Sequence, residues 1–292
     1  MSIADVTREL LVRYLDTWTP GALHGARRAT FAQGWAGPAD VALAESALRV
    51  FAEFSDRMRG RRLTMVVVAP ETGDVTGRLT TVQAELGTPA ELGVHAVDGD
   101  PAQRLPVALK AAGTAGAPLL AYLDGIPVPA ATTGRPVELI VVAPAGGWAE
   151  HREALRAAGF ALTSGVELVQ SGDSRLVAFA TPSAKSLEAF KNCLWAVDEY
   201  AGVLYRDPTD PDGHLLDISL SPHPGPLRRE LLAHLGTVGS ASVVDLRHFT
   251  LTETIFRASD TVRVVSALLS AGAVTREPER GRLSGDVVIS VK

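Results

Sequence analysis

The 292-residue chain predicts an α/β fold: a mostly parallel sheet with helices on both faces, an antiparallel edge hairpin, and a small C-terminal domain. Three observations predict it. Continuous apolar runs such as Leu63–Ala69 and Val137–Ala143 have the pattern of strands buried on both faces. Amphipathic helical segments alternate with these runs as far as Ala158. Two strand-like segments then follow, joined by Ser171-Gly172-Asp173-Ser174, a hairpin-type turn.

Each element has its own signal. Thr7–Trp18 puts Leu10, Leu11, Tyr14, Leu15 and Trp18 at helical spacing. Thr30–Gln33 reads as a short strand ending in Gly34-Trp35-Ala36-Gly37-Pro38. Val41–Met58 is a helix with Leu43, Ala47, Val50, Phe51 and Phe54 on one stripe. Leu63–Ala69 is the second strand, Arg78–Leu86 a helix and Gly93–Val97 the third strand. Ala102–Ala112 is a helix that must accommodate Pro106. Pro118–Leu123 and Val137–Ala143 are the next strands, and Trp148–Ala158 a helix. Phe160–Gln170 and Arg175–Ala180 form the edge hairpin of a sheet of about seven strands. Ser183–Val197 is a helix, and Tyr200–Pro226, rich in Pro, Asp and Gly, a connector. Three helices follow, Leu227–Leu235, Val243–Thr250 and Ser259–Ala271. Two strand-like pieces then flank Glu277-Pro278-Glu279-Arg280-Gly281-Arg282, in a pattern that resembles a winged helix. The expected division is 1–182, 183–224 and 225–292.

Composition narrows the function classes. With 46% hydrophobic and 21% charged residues, the chain is of ordinary globular type. A net charge of −5 argues against non-specific coating of nucleic acid. The lone Cys193 excludes an internal disulfide and a cysteine-based zinc cluster. The absence of a signal-peptide pattern and of any long apolar run predicts a cytoplasmic protein with no membrane partner. Only four of the 28 basic residues are Lys, the usage of a GC-rich bacterial genome.

Ligands of doubly wound sheets lie beyond the carboxyl ends of the strands. The loop after the first strand, with Gln33, Gly34 and Gly37, is therefore either a cofactor cradle, because glycines let backbone approach a nucleoside, or a tight strand-to-helix turn that needs glycine for positive φ. It is neither G-x-G-x-x-G nor a P-loop, which lowers NAD and ATP as ligands. Glu71 stands just beyond the second strand, where a carboxylate accepts from both ribose hydroxyls. Asp98 follows the third strand and is placed to face an adenine or to cap the next helix; Asp100 is the better cap. Asp124 follows the fourth strand, at the same end of the sheet as the expected ligand crevice, or it is a turn residue before Gly125. The seven His show no metal-ligand spacing, and Cys193 reads as a buried structural thiol.

The order of elements over 29–182 resembles class I methyltransferase-type Rossmann sheets. The motifs resemble those of the three-Cys-motif partner proteins, a bacterial family with a methyltransferase-like fold. Tyr14-Leu15 and Trp18 are similar to that family's opening helix, and Gln33-Gly34-Trp35-Ala36-Gly37-Pro38-Ala39 to its Asp-Gly-Phe-Ala-Gly-Pro-Gly-like loop. Leu123-Asp124-Gly125-Ile126-Pro127 is similar to its Leu-Asp-Pro-Phe-Gly motif, and Leu194-Trp195-Ala196-Val197-Asp198 to its tryptophan motif. The departures are Gln33 for the loop acid, Ala39 for the last glycine and Gly125-Ile126 for Pro-Phe. The resemblance implies S-adenosylmethionine over Gly34 and Gly37, and the loss of Pro-Phe implies an acceptor other than a base amine, or lost catalysis.

Two functional expectations follow. One is an S-adenosylmethionine-dependent methyltransferase-like enzyme in which Asp124 orients or deprotonates an unknown acceptor. The other is a degenerate binding or regulatory protein. Residues 225–292 carry nine Lys or Arg against seven Asp or Glu. Nucleic-acid contacts would fall to Arg257 and Arg263 on the last helix and to Arg276, Arg280 and Arg282 on the wing. Alternatively Leu227, Leu231, Val262, Val265 and Leu268 would supply apolar surface for a homo-oligomer.

Overall fold

The computed structural model describes residues 2–128, 135–197 and 202–292. Asp198 and the start of the connector at Tyr200 fall outside them. The chain opens with α1, Ile3–Gly25, longer at both ends than the Thr7–Trp18 stripe. A capping box explains its start: the Ser2 hydroxyl accepts from Asp5 N while the Asp5 carboxylate accepts from Ser2 N. Strands β1 (Arg28–Trp35), β2 (Arg62–Ala69), β3 (Leu92–Asp98), β4 (Leu119–Asp124) and β5 (Val137–Pro144) alternate with α2 (Val41–Glu53), α3 (Val75–Leu86), α4 (Pro101–Ala111) and α5 (Trp148–Ala157). Asp100 caps α4 through Ala102 N.

The hairpin is β6 (Leu162–Gln170) and β7 (Asp173–Thr181), followed by α6 (Ala184–Trp195). The sheet runs in the order β3-β2-β1-β4-β5-β7-β6-β8-β9. Strands β1 to β5 are mutually parallel, and β7 lies antiparallel between β5 and β6. The mostly parallel α/β sheet is thus present, but the hairpin is not its edge. Two three-residue strands from the presumed connector, β8 (Leu204–Arg206) and β9 (Leu215–Asp217), extend the sheet beyond β6. They are too short for an alternation signal. An ion pair between the partly exposed Arg206 and the buried Glu167 of β6 joins β8 to its neighbour, with Nε to Oε2 at 2.6 Å.

The sheet separates two apolar layers. Leu10, Tyr14, Leu48, Phe51, Leu79 and Phe190 build the layer of α1, α2, α3 and α6. Leu105, Leu109, Trp148 and Leu155 build the layer of α4 and α5. Each fully buried large side chain contributes roughly 1.5–3 kcal/mol. Glu138 is buried in β5 and is not left unpaired: the Tyr14 hydroxyl donates to it at 2.6 Å and the Thr181 hydroxyl at 3.1 Å.

The C-terminal unit holds α7 (Pro224–Val238), β10 (Ser240–Ser242), α8 (Val243–Glu253), α9 (Ala258–Ser270), β11 (Val274–Glu277) and β12 (Val288–Val291). Its strands form a separate antiparallel sheet in the order β10-β12-β11. Leu227, Leu231, Val265 and Leu268 are buried inside the chain and Val262 packs against that core, so they do not form the spare apolar surface expected of them. A small domain needs those side chains for its own interior.

Several residues tie this unit to the rest of the chain. Lys191 of α6 is fully buried, and its ammonium donates to the carbonyls of Thr250 (3.2 Å), Leu251 (2.6 Å), Thr254 (2.5 Å) and Phe256 (2.9 Å). These are the orphan carbonyls at the end of α8 and in its loop to α9. The Trp195 indole donates to Ile255 O at 3.0 Å, and the Asp207 carboxylate accepts from Ile255 N at 3.2 Å. Among the described residues, no helix is long and apolar enough to cross a membrane.

Candidate functional site

The strand order reverses direction between β1 and β4, which makes that boundary the topological switch point. Trp35, the last residue of β1, is in register with Asp124, the last of β4, and Asp124 with Val142 of β5. The chain knits these ends together: Ala36 N donates to Asp124 O at 2.9 Å, and Gly125 N to Val142 O at 3.0 Å. Gly125 has φ +68°, and a Cβ there would lie 2.9 Å from Ala36 Cβ. Only glycine fits this corner.

Trp35, Tyr122, Asp124 and Val142 line a cleft of about 230 Å³ at this boundary. The start of α1 (Ser2, Ile3, Ala4, Thr7) and of α2 (Asp40, Leu43) roof it, and Asp173 and Arg175 of β7 close one side. The rings of Trp35 and Tyr122 pack 5.2 Å apart at 44°. The indole Nε1 of Trp35 is buried without a hydrogen-bond partner. Burial pushes the Asp124 carboxyl above its ordinary value, with Asp40 adding to the rise and Arg175 opposing it. Burial likewise raises the Tyr122 hydroxyl well above its usual value, with Asp124 and Asp40 adding to it. Asp40, Asp124 and Asp173 share the lining with Arg175, and Asp40 Oδ1 also accepts from Leu43 N at 3.0 Å to cap α2.

Of the residues expected at a cofactor site, the structure brings Asp124 into this cleft and leaves the others outside its lining. Gln33 and Gly34 are not in a loop. They belong to β1, which runs on to Trp35. A side chain at Gly34 would meet Leu105, Leu123 and Ile126 at 3.3–3.4 Å, so this glycine lets α4 and the chain after β4 pack against the strand. Gln33 is fully buried with both amide atoms unpartnered, between Val67 and Tyr122 in register. Gly37 lies in the bend after β1, and an added Cβ there meets nothing within 4 Å. Asp98 is spent on the turn after β2: its Oδ1 accepts from Thr72 N and Oγ1, both at 2.7 Å, which hold the carboxyl below its usual range. Glu71 is exposed in that same turn.

The C-terminal arginines are largely engaged within the chain. Arg257 pairs with Asp260 and donates to Leu220 O. Arg263 donates to Ser221 Oγ and Pro222 O. Arg276 donates to the carbonyls of Pro278 and Gly281, bracing its own turn. Arg280 and Arg282 are exposed in that turn.

Sequence reading missed two groupings. Asp210, Asp212 and His214 bring possible ligand atoms within 4.8 Å of one another. Internal hydrogen bonds account for this: Asp210 accepts from the backbone of Asp212 and His214 and meets the His214 ring at 2.7 Å. The second is a cavity of about 550 Å³ between the β8–β9 turn and the C-terminal helices. The Asp-Pro-Asp-Gly-His run was the one available signal, and it reads first as turn chemistry.

No protein-family model matches the sequence, and no curated protein matches it. Solved structures do show similarity. The crystal structure of EvdMO1 is 14% identical over 62% of this chain and 42% of its own, with TM-score 0.38. The METTL16 MTase domain is 11% identical over 57% of this chain and 65% of its own, with TM-score 0.35. A predicted O-methyltransferase, protein Atu636 from Agrobacterium tumefaciens, is 15% identical over 59% and 81%, with TM-score 0.30. The chain spans less than two thirds of the first two.

Proposed function

We propose that this chain is an S-adenosylmethionine-dependent methyltransferase-like protein with its working cleft at the β1–β4 switch point. The observation that carries the reading is the strand order: five parallel strands in the order 3-2-1-4-5, then a reversed β7 inserted before β6, with a cleft at the carboxyl ends where the order turns. The cleft chemistry supports a cationic ligand. Asp40, Asp124 and Asp173 outnumber Arg175, and the faces of Trp35 and Tyr122 favour a positive centre. The open backbone at Gly37 leaves room for a ligand beside the bend.

When bound, S-adenosylmethionine supplies an electrophilic methyl group. The protein's part is alignment and charge management. Trp35 and Tyr122 form the wall that orients the ligand. Asp124, with its raised proton affinity, is the group that accepts a proton from an acceptor or holds it by hydrogen bond.

A second reading, a degenerate binding protein, is favoured by the packing over Gly34 and by the Asp98–Thr72 bonds, which occupy two expected anchor points. In either case the helix–strand–helix–helix–strand–strand order of the C-terminal unit supports a winged-helix reading. The engaged Arg257, Arg263 and Arg276 and the Lys191 anchor favour a buttress over a nucleic-acid reader. Thermal unfolding with millimolar S-adenosylmethionine tests the reading: a raised Tm supports it, and an unchanged Tm removes its main support.

A further inference from the structure

We propose that the cavity between the β8–β9 turn, α7 and α8 is a second ligand site, for an organic cation: a primary ammonium carried on an apolar or aromatic body. Its volume, about 550 Å³, lies in the range of small-molecule sites. It shares no lining residue with the Asp124 cleft. Leu216, Pro226 and Phe249 supply apolar walls, and His234 stacks on Phe249 with ring centroids 4.0 Å apart. Such walls suit a flat or hydrocarbon body.

The charge in the lining sets the sign of the ligand. Five carboxylates, those of Asp207, Asp210, Asp212, Glu230 and Glu253, stand against Arg229 and the rings of His214 and His234. Three of the acids have duties within the fold. Asp207 holds Thr209 and Ile255, Asp210 holds Asp212 and His214, and Glu253 pairs with Arg152 at 2.7 Å. Glu230 differs: it is half-buried on α7 and accepts no hydrogen bond from any described residue. A carboxyl desolvated without a partner is costly unless it is neutral or meets a cation.

Its proton affinity agrees with that geometry. Burial, with Asp207 and Asp210 nearby, pushes the Glu230 carboxyl up to about 8, while the charges of Lys191 and of Arg229 on the same helix oppose the rise. The raised proton affinity favours the protonated carboxyl in the empty cavity. An ammonium that enters displaces this proton: the neutral carboxyl gives its proton to solvent, and the carboxylate left behind pairs with the intact ammonium. Binding of an ammonium is therefore coupled to proton release.

Calorimetric titration of the full chain with phenethylammonium chloride at pH 7, in phosphate and in Tris, reads both affinity and proton release. We expect saturable binding coupled to proton release, and at least tenfold weaker binding of neutral 2-phenylethanol. Glu230→Gln is expected to weaken binding at least tenfold and abolish the proton release. Ala233→Trp, an exposed position in the lining, is expected to block the cavity without touching a charge, and so keeps the test decisive if the Gln variant does not fold. Absence of saturable heat, equal binding of the alcohol, or unchanged binding in both folded variants would overturn the proposal. None of these outcomes depends on S-adenosylmethionine binding.

Discussion

Trp35 and Asp124 are register partners at the carboxyl ends of β1 and β4, and the backbone bond from Ala36 N to Asp124 O locks that pairing. The relationship places an aromatic face and a half-buried carboxylate on one row of the sheet, beside the Tyr122 ring two residues back along β4. Parallel strands hold such pairs rigidly, which suits a site that works by alignment.

Asp124→Asn tests the electrostatics of that row. Burial raises the Asp124 carboxyl above its ordinary value of 3.8, so the native state binds this proton more tightly than the unfolded chain. Stability is then lost as pH rises from the unfolded value through the native one. The Asn variant is expected to be more stable than wild type at pH 7 and no more stable at pH 3. Urea midpoints at the two pH values check this.

Gly34 within β1 and Gly37 in the bend after it are expected to behave differently. Gly37→Val meets open space, so the fold stays cooperative; weakened S-adenosylmethionine binding would put the ligand beside the bend, and unchanged affinity would put it elsewhere. Gly34→Val drives its side chain into Leu105, Leu123 and Ile126 and is expected to cost roughly 1–3 kcal/mol or more. Chemical denaturation beside ligand titration separates the two.

This contrast shows what the sequence alone carried. Continuous apolar runs placed β2, β4 and β5 within a residue or two, because burial on both faces leaves an unbroken signal. Gln33 misled, since a polar residue reads as the end of a strand, yet it is fully buried within β1. The short β8 and β9 left no periodic trace. Asp124 was legible as the acid after an apolar run. Its neighbours Arg175 and Asp173 were not, because they reach the cleft only through the reversed insertion of β7.

Lys191→Met tests the anchor of the C-terminal unit. It leaves four buried carbonyls without their donor, and a loss of roughly 3–5 kcal/mol is expected. Met preserves most of the stem's packing, so the loss reports the ammonium itself. Hydrogen exchange is expected to rise first in α8 and α9.

Arg257→Ala with Arg263→Ala is expected to lower stability by disturbing the contacts to Asp260, Leu220, Ser221 and Pro222. If these arginines instead read DNA, the pair would flatten the salt slope of binding by roughly 0.9 per lost phosphate contact. Thermal unfolding and salt-dependent DNA titrations distinguish the outcomes.

Calorimetric titration of the full chain with S-adenosylmethionine and S-adenosylhomocysteine tests the central claim most directly. The account predicts saturable one-to-one binding of both, weakened at least tenfold by Asp124→Asn for the charged sulfonium and less for the neutral thioether, because the carboxylate lines a cleft suited to positive charge. Absence of heat with either ligand at millimolar concentration, or equal affinity of wild type and the Asn variant for S-adenosylmethionine, would contradict it.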